Sequence, residues 1–333
     1  MRFSTGLPNC REGRQNPMGS VDVGAITRAA EVADELGYYA LWPNEFFVSR
    51  PDVSARYDSP PNLFDTIVTM AYALAVTKRI RVMPSTIVLP LHEPILLARQ
   101  MATLDVFSGG RVTLGIGLGG DKEEYGRMRP DNPNRAKLMD EYVAAMRVLW
   151  TQRTASYQGK YVQFTDLETY PKPIQAPLPV FRAGHGEEAI KWIGREGQGW
   201  IDSSHSREEI KEMVAQLNGI AAEAGRKDKL EVVRQWYVCL GETESEAQDI
   251  FARSLPPPTK PDPKEAAAAD SPATRSRLSK TRTLIGTPDQ IRDELRTYTD
   301  SGVTEMCVIF YSPNVETAER QMRLFAKEVL PKF

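Results

Sequence analysis

What most limits the folds open to this chain is a regular alternation of short apolar segments with longer amphipathic ones. Arg2 to Leu7 has the pattern of a strand, and Val23 to Leu36 then repeats apolar residues at helical spacing until Gly37 stops it. Further strands are expected at Tyr38 to Trp42, Ile80 to Thr86, Val112 to Ile116, Val180 to Ala183, Trp200 to Ser204, Leu230 to Leu240 and Glu305 to Phe310. Between them lie helix patterns, among them Leu63 to Val76, Arg135 to Trp150 and Arg207 to Ala224, the last with Ser206 and Glu209 placed as a capping box. Rhythmic β-α alternation means parallel strands with helices outside them. Eight units favour closure into a (β/α)8 TIM barrel, with insertions in the loops at the carboxyl ends of the strands, over an open sheet. Residues 1–333 then form one domain, a length that such barrels reach.

With 41% hydrophobic and 26% charged residues the composition is that of an ordinary globular protein. A net charge of −2 provides no general attraction to nucleic acid or to an anionic membrane, so an anionic ligand must be held by local groups. Cys10, Cys239 and Cys307 are far apart, without metal-type spacing, and fit reduced thiols in a cytoplasmic protein; no metal site is expected. There is no signal-peptide pattern at the amino terminus, and no apolar run approaches a membrane span.

In a barrel of this kind function gathers at the carboxyl ends of the strands. There the sequence places Asn44-Glu45, Ser85-Thr86, Gly117-Leu118, Gly184-His185 and His205. The glycine run Gly117 to Gly120 would let backbone N–H groups approach a ligand closely. Gly115, Gly117 and Gly120 also satisfy G-x-G-x-x-G, but Asp121-Lys122-Glu123-Glu124 and a Pro/Asn-rich loop follow. A dinucleotide site would need a helix opening there and an acid at the end of the next strand, so an open-sheet nicotinamide dehydrogenase is disfavoured. Residues 255–282, rich in Pro and Ala and carrying Arg275, Arg277, Lys280 and Arg282, suggest either a lid or a disordered insertion.

The block Arg79 to Gly120, RIRVMPSTIVLPLHEPILLARQMATLDVFSGGRVTLGIGLGG, closely resembles the luciferase-like flavin monooxygenases and their deazaflavin-dependent relatives. Weaker likeness extends over nearly the whole chain, through Ala33 to Gly37 with Trp42, Pro171 to Gly184 and Gly286-Thr287-Pro288. The resemblance implies reduced flavin mononucleotide (FMN) or the deazaflavin coenzyme F-420 as cofactor. It further implies a non-proline cis peptide at Ser85-Thr86 beneath the ring and a seat lined by Trp42, Gly117 and Leu118. A phosphate would lie at Gly184-His185-Gly186, where a helix starts. The implied activity is a two-component monooxygenase supplied with reduced FMN by a separate reductase and acting on a small organic substrate. Hydride transfer by the deazaflavin is the alternative, and Arg275 and Arg277 would suit its polyglutamyl tail. A homodimer is expected, because the family often dimerises.

Some positions depart from the family's specialised members. The acid-His pair that many carry after the second strand reads Glu45-Phe46 here, so the neighbouring histidine is missing. Gly120 stands where sugar-oxidising members have a glutamate, and Gln235 and Tyr237 where alkanesulfonate monooxygenases have an Arg and a His. A non-catalytic flavin-binding protein therefore stays open as a third reading. The catalytic candidates are Glu45, His205 and Tyr237, each with a plainer role available: a solvated loop acid, a residue of a capping turn, and a core aromatic on a strand. His92, beside Pro90 and Pro94, is expected to be a loop residue.

Overall fold

A computed structural model describes residues 1–49, 53, 56–119, 122–129, 134–254 and 283–333. Gly120, Asp121 and the expected lid at 255–282, with Arg275, Arg277, Lys280 and Arg282, lie outside the described residues. The strands are β1 (Arg2–Gly6), β2 (Ala40–Trp42), β3 (Arg81–Val82), β4 (Ile87–Val88), β5 (Leu114–Gly117), β6 (Ala155–Gln158), β7 (Gln163–Leu167), β8 (Val180–Ala183), β9 (Gly199–Asp202), β10 (Glu231–Leu240), β11 (Thr283–Gly286) and β12 (Glu305–Phe310). The helices are α1 (Val23–Leu36), α2 (Thr66–Val76), α3 (Pro94–Ser108), α4 (Lys122–Met128), α5 (Arg135–Thr151), α6 (Glu187–Glu196), α7 (Arg207–Glu223), α8 (Glu244–Ser254), α9 (Pro288–Arg296) and α10 (Val315–Glu328).

All pairs in the main sheet are parallel, in the order β3-β2-β1-β12-β10-β9-β8-β5-β4, with β11 branching from β10. The curled sheet closes where β3 meets the approach to β5: Val82 N–H donates to Arg111 O at 2.9 Å, and Thr113 N–H donates to Val82 O at 3.1 Å. The result is the (β/α)8 barrel expected from the alternation. Helix boundaries follow local chemistry. Asp22 and Asp65 cap α1 and α2 by accepting N–H groups of their first turns, and Gly37 ends α1 in the left-handed region at φ 79°. Ser206 and Glu209 form the expected capping box.

Strand periodicity sorts the core into two layers. Leu41, Val82, Leu114, Trp200, Val232 and Met306 face outward and pack under the helices. Ala40, Trp42, Met83, Phe181, Ile201, Val233, Cys307 and Ile309 fill the lumen. The excursion after α5 is the antiparallel hairpin β6-β7, held by Glu141, whose carboxylate accepts N–H groups of Lys160, Tyr161 and Val162.

Three local expectations change. The third strand does not run through Pro84 to Thr86 but stops at Val82, with a separate β4 at Ile87–Val88. Proline has no N–H to give a ladder, so pairing lapses on the side toward β5, while Met83 N–H still donates to Leu41 O at 3.0 Å on the β2 side. Strand β9 ends at Asp202, which leaves His205 beyond the strand in the turn leading to α7. Strand β11 was not expected from the alternation.

At the lumen floor Glu305 accepts from the Ser4 hydroxyl and lies 3.8 Å from Arg2. Burial is the main cause that pushes its carboxyl up from 4.5 to about 7. The folded protein thus keeps a proton that the unfolded chain loses above 4.5. This stabilisation is complete below that value and is lost as pH rises through about 7, a change on the order of 3 kcal/mol. Urea unfolding at about pH 5 and about pH 8 should show wild type losing more stability across that window than Glu305→Gln.

Candidate functional site

One wall of the barrel mouth is the segment between β3 and β4 that contains Pro84. The Ser85-Thr86 peptide is cis. Asn44, just past β2, donates from Nδ2 to Ser85 O at 3.1 Å, and Ser85 N–H donates to Pro43 O at 2.9 Å. Gly117 closes on Thr86 from β5, where a Cβ would fall well inside contact distance of Thr86 Oγ1. Gly119 has φ 77°, and a Cβ on it would meet Val88 at 2.9 Å. These glycines leave a wall of backbone where side chains would intrude, the shape a flat ring needs. Leu118 is half-buried, its carbonyl accepting from Arg135 at 3.1 Å. Trp42 is enclosed in the lumen below the mouth, and Tyr237 points inward from β10, half-buried.

Glu45 is buried beside this wall and accepts the Val88 N–H at 2.6 Å. His92 reaches it from the turn after β4, with Nε2 at 3.0 and 3.1 Å from the two carboxylate oxygens. His92, in the turn after β4, is thus paired with Glu45, 47 residues away in sequence. The Phe47 ring lies 5.6 Å from the imidazole. With the carboxylate as acceptor, Nε2–H is the donor to Glu45, and in the neutral ring Nδ1 would then be an acceptor. Nδ1 has no hydrogen-bond partner among the described residues. Cys10 is close by, and burial pushes its thiol up to about 12, which keeps it protonated.

A second group lies over β8 and β9. Gly184 has φ 127°, and Gly186 caps α6 without a side-chain bond, with nothing within 4 Å of where its Cβ would be. An open, uncapped first turn fits an anionic terminus. Glu187 and Glu188 also sit in that turn, paired with Lys191 at 2.6 and 3.4 Å. His205 stacks edge-on against His185 with ring centres 5.2 Å apart, so the structure brings these two candidates together. Its Nδ1 lies 2.5 Å from Asp202, which is also paired with buried Arg234. Trp200 donates to Gly184 O at 2.9 Å and ties the turn to β9. Among the described residues no hydrogen bond or ring contact joins this group to Glu45 or Tyr237.

His92 and Asp202 are the members of these two groups that local pattern did not reveal. Each follows or ends a strand, but what gives it meaning is a partner brought close only by the barrel. Among the described residues no His/Cys/Asp/Glu cluster could hold a metal ion, and no helix is long and apolar enough to cross a membrane.

A family model described as luciferase-like monooxygenase matches residues 1–305. The chain belongs to that family. An uncharacterised protein of Mycobacterium tuberculosis (strain ATCC 25618 / H37Rv) is 34% identical over 251 residues, 75% of this chain and 78% of that protein. The FMNH(2)-dependent dimethylsulfone monooxygenase of Pseudomonas putida is 26% identical, covering 99% of this chain and 94% of its own length. An F-420-dependent glucose-6-phosphate dehydrogenase of Amycolatopsis mediterranei (strain U-32) is 28% identical, covering 90% and 91%. The solved structure of monooxygenase RslO1 from Streptomyces bottropensis matches the fold with TM-score 0.80 at 22% identity, covering 100% of this chain and 99% of that one. This luciferase-like protein is accordingly an oxidoreductase enzyme of a family whose members work with reduced FMN or coenzyme F-420.

Proposed function

We propose that this enzyme is a two-component monooxygenase that takes reduced FMN from a separate reductase and acts on a small organic substrate. Bound there, the reduced flavin would supply the electrons that activate oxygen for transfer to the substrate. The residues present fit such a group. Thr86, Gly117 and Leu118 offer a flat wall for the ring, Trp42 and Tyr237 bound it, and the turn Gly184-His185-Gly186 offers N–H groups to a phosphate.

The observation that carries FMN over the deazaflavin is the acidic rim of that turn. Glu187 and Glu188 are exposed at the start of α6, beside the N–H groups that would bind phosphate. A ligand ending at a phosphate can stop short of them, whereas a polyglutamyl tail continuing outward meets like charge. Arg275 and Arg277, which would favour such a tail, lie outside the described residues.

Proton handling falls to Glu45 with His92. Glu45, fixed by Val88, orients the imidazole, and Nδ1 accepts or returns a proton at the substrate. His205, held at Nδ1 by Asp202 and stacked on His185, lies at the phosphate end and steadies that turn.

The test is anaerobic loading with photoreduced FMN or with reduced deazaflavin, followed by rapid mixing with oxygen. The reading expects a flavin absorbance change that requires both the protein and oxygen. Binding of the deazaflavin alone, indifferent to oxygen, would make this a hydride-transfer enzyme.

A further inference from the structure

Arg11 lies just beyond β1 with 3% of its surface exposed. Its Nε donates to Leu7 O at 2.8 Å, Nη1 to Gln15 Oε1 at a long 3.4 Å, and Nη2 to Asn44 Oδ1. The Tyr237 oxygen adjoins it from β10. All of these partners are neutral, and no carboxylate of a described residue pairs with it. The contrast within the same molecule is informative, because buried Arg182 holds Asp140 and buried Arg234 holds Asp202. A guanidinium carries five N–H groups, one more than these four acceptors satisfy.

The position of this charge matters as much as its isolation. A Cβ on Gly6 would lie 2.9 Å from Arg11 Nη2 and 3.0 Å from Ile309, so the guanidinium rests on top of the lumen cluster. Asn44, which accepts from Arg11, donates in turn to Ser85 O of the cis peptide. Asn44 and Tyr237 are both half-buried, so the groups that cover Arg11 are those at the solvent side of the mouth. A buried cation without a counter-charge is costly, and burial already pulls the Arg11 pKa down. An arrangement of this kind opposes stability unless a ligand brings the missing charge.

We infer that Arg11 is the specificity-determining residue for an organic anion, and that the substrate carries a carboxylate or an oxyanion of similar size beside the ring seat. The oxygens of that group would replace the long Gln15 bond and the Asn44 amide, giving Arg11 a two-point, charge-assisted contact. This rests on the mouth being the substrate site, as proposed above. With a net charge of −2 the protein has no broad positive field, so the preference for an anion falls to this residue.

The test uses cofactor-free full-length protein at constant ionic strength. Melting temperature and calorimetric binding are followed with sodium propionate and sodium benzoate, and with propionamide and benzyl alcohol as neutral counterparts, for wild type, Arg11→Met and Arg11→Lys. Wild type should bind and be stabilised by the carboxylates and not by the neutral compounds. Arg11→Met should melt no lower than wild type without ligand and lose at least tenfold in carboxylate affinity. Arg11→Lys, which keeps the charge but not the planar fork, should lose several-fold. Failure of wild type to respond, an unchanged response in Arg11→Met, or a sharp fall in the unliganded stability of Arg11→Met would each overturn the inference, the last by making Arg11 a structural brace. A parallel titration with reduced FMN separates the two readings. Intact flavin binding with no carboxylate response removes this inference alone, whereas loss of both removes the mouth as the site.

Discussion

Replacing Asp202 with alanine is expected to destabilise the protein by about 3–5 kcal/mol, the range for removing one partner of a buried ion pair. Asp202 and Arg234 have side chains 2% and 1% exposed, so water cannot take over the role of either charge. The substitution takes away the carboxylate that Arg234 holds, together with the acceptor of the His205 ring at 2.5 Å. Asp202→Asn keeps the shape and one acceptor and should cost less. The double variant Asp202→Leu/Arg234→Met removes both charges and should recover much of the loss, because an apolar pair of similar volume often replaces a buried ion pair without penalty. Urea denaturation of the three variants checks this, and a cost below about 1 kcal/mol for Asp202→Ala would show that the pair is dispensable. The same change also bears on the site: if His205 steadies the phosphate turn through His185, the surviving folded protein should bind flavin more weakly.

The second large effect is expected at Gly117. Any side chain there must displace Thr86, because even a Cβ falls inside contact distance of its hydroxyl. The backbone of Gly117 pairs with Val88 on β4, which limits how far β5 can retreat. In Gly117→Val the extra methyl groups and the displaced Thr86 would occupy the ring seat, and reduced-FMN affinity should fall at least about 100-fold, a change of roughly 3 kcal/mol. Gly117→Ala/Thr86→Ala removes the clashing hydroxyl and should bind more tightly than Gly117→Ala alone, a coupling expected only if the two residues share the seat.

Much of the barrel was legible because its signals are local. The periodicity of Ile26 to Leu36, the stop at Gly37 and the capping box at Ser206 and Glu209 each act within a turn or two of helix, so neighbouring residues suffice to read them. Where tertiary context overrides local chemistry, the sequence pattern no longer marks the boundary. The segment from Ile80 to Thr86 was expected as one strand, but Pro84 lies in a break between β3 and β4. Strand β11 is recognisable by its pairing with β10, which no local pattern announces.

The candidate site divides along the same line. Gly117, Gly184 and Gly186 could be nominated from sequence because close approach of backbone to a ligand would call for glycine at that position. His92 could not, since its role comes from Glu45 at 47 residues' distance and a lone histidine between prolines carries no such signal. Arg11 was equally silent. Its meaning lies in surroundings that only the closed barrel assembles, in which no carboxylate of a described residue pairs with it.

The claim on which the account turns is that the mouth formed by Thr86, Gly117 and the Gly184–Gly186 turn seats reduced FMN. It is tested most directly by anaerobic titration of wild type and Gly117→Val with photoreduced FMN, alongside thermal melts that confirm both are folded. The account predicts saturable binding by wild type and at least about 100-fold weaker binding by the folded variant. Equal affinity in the two proteins, or no binding of reduced FMN by folded wild type, would contradict it.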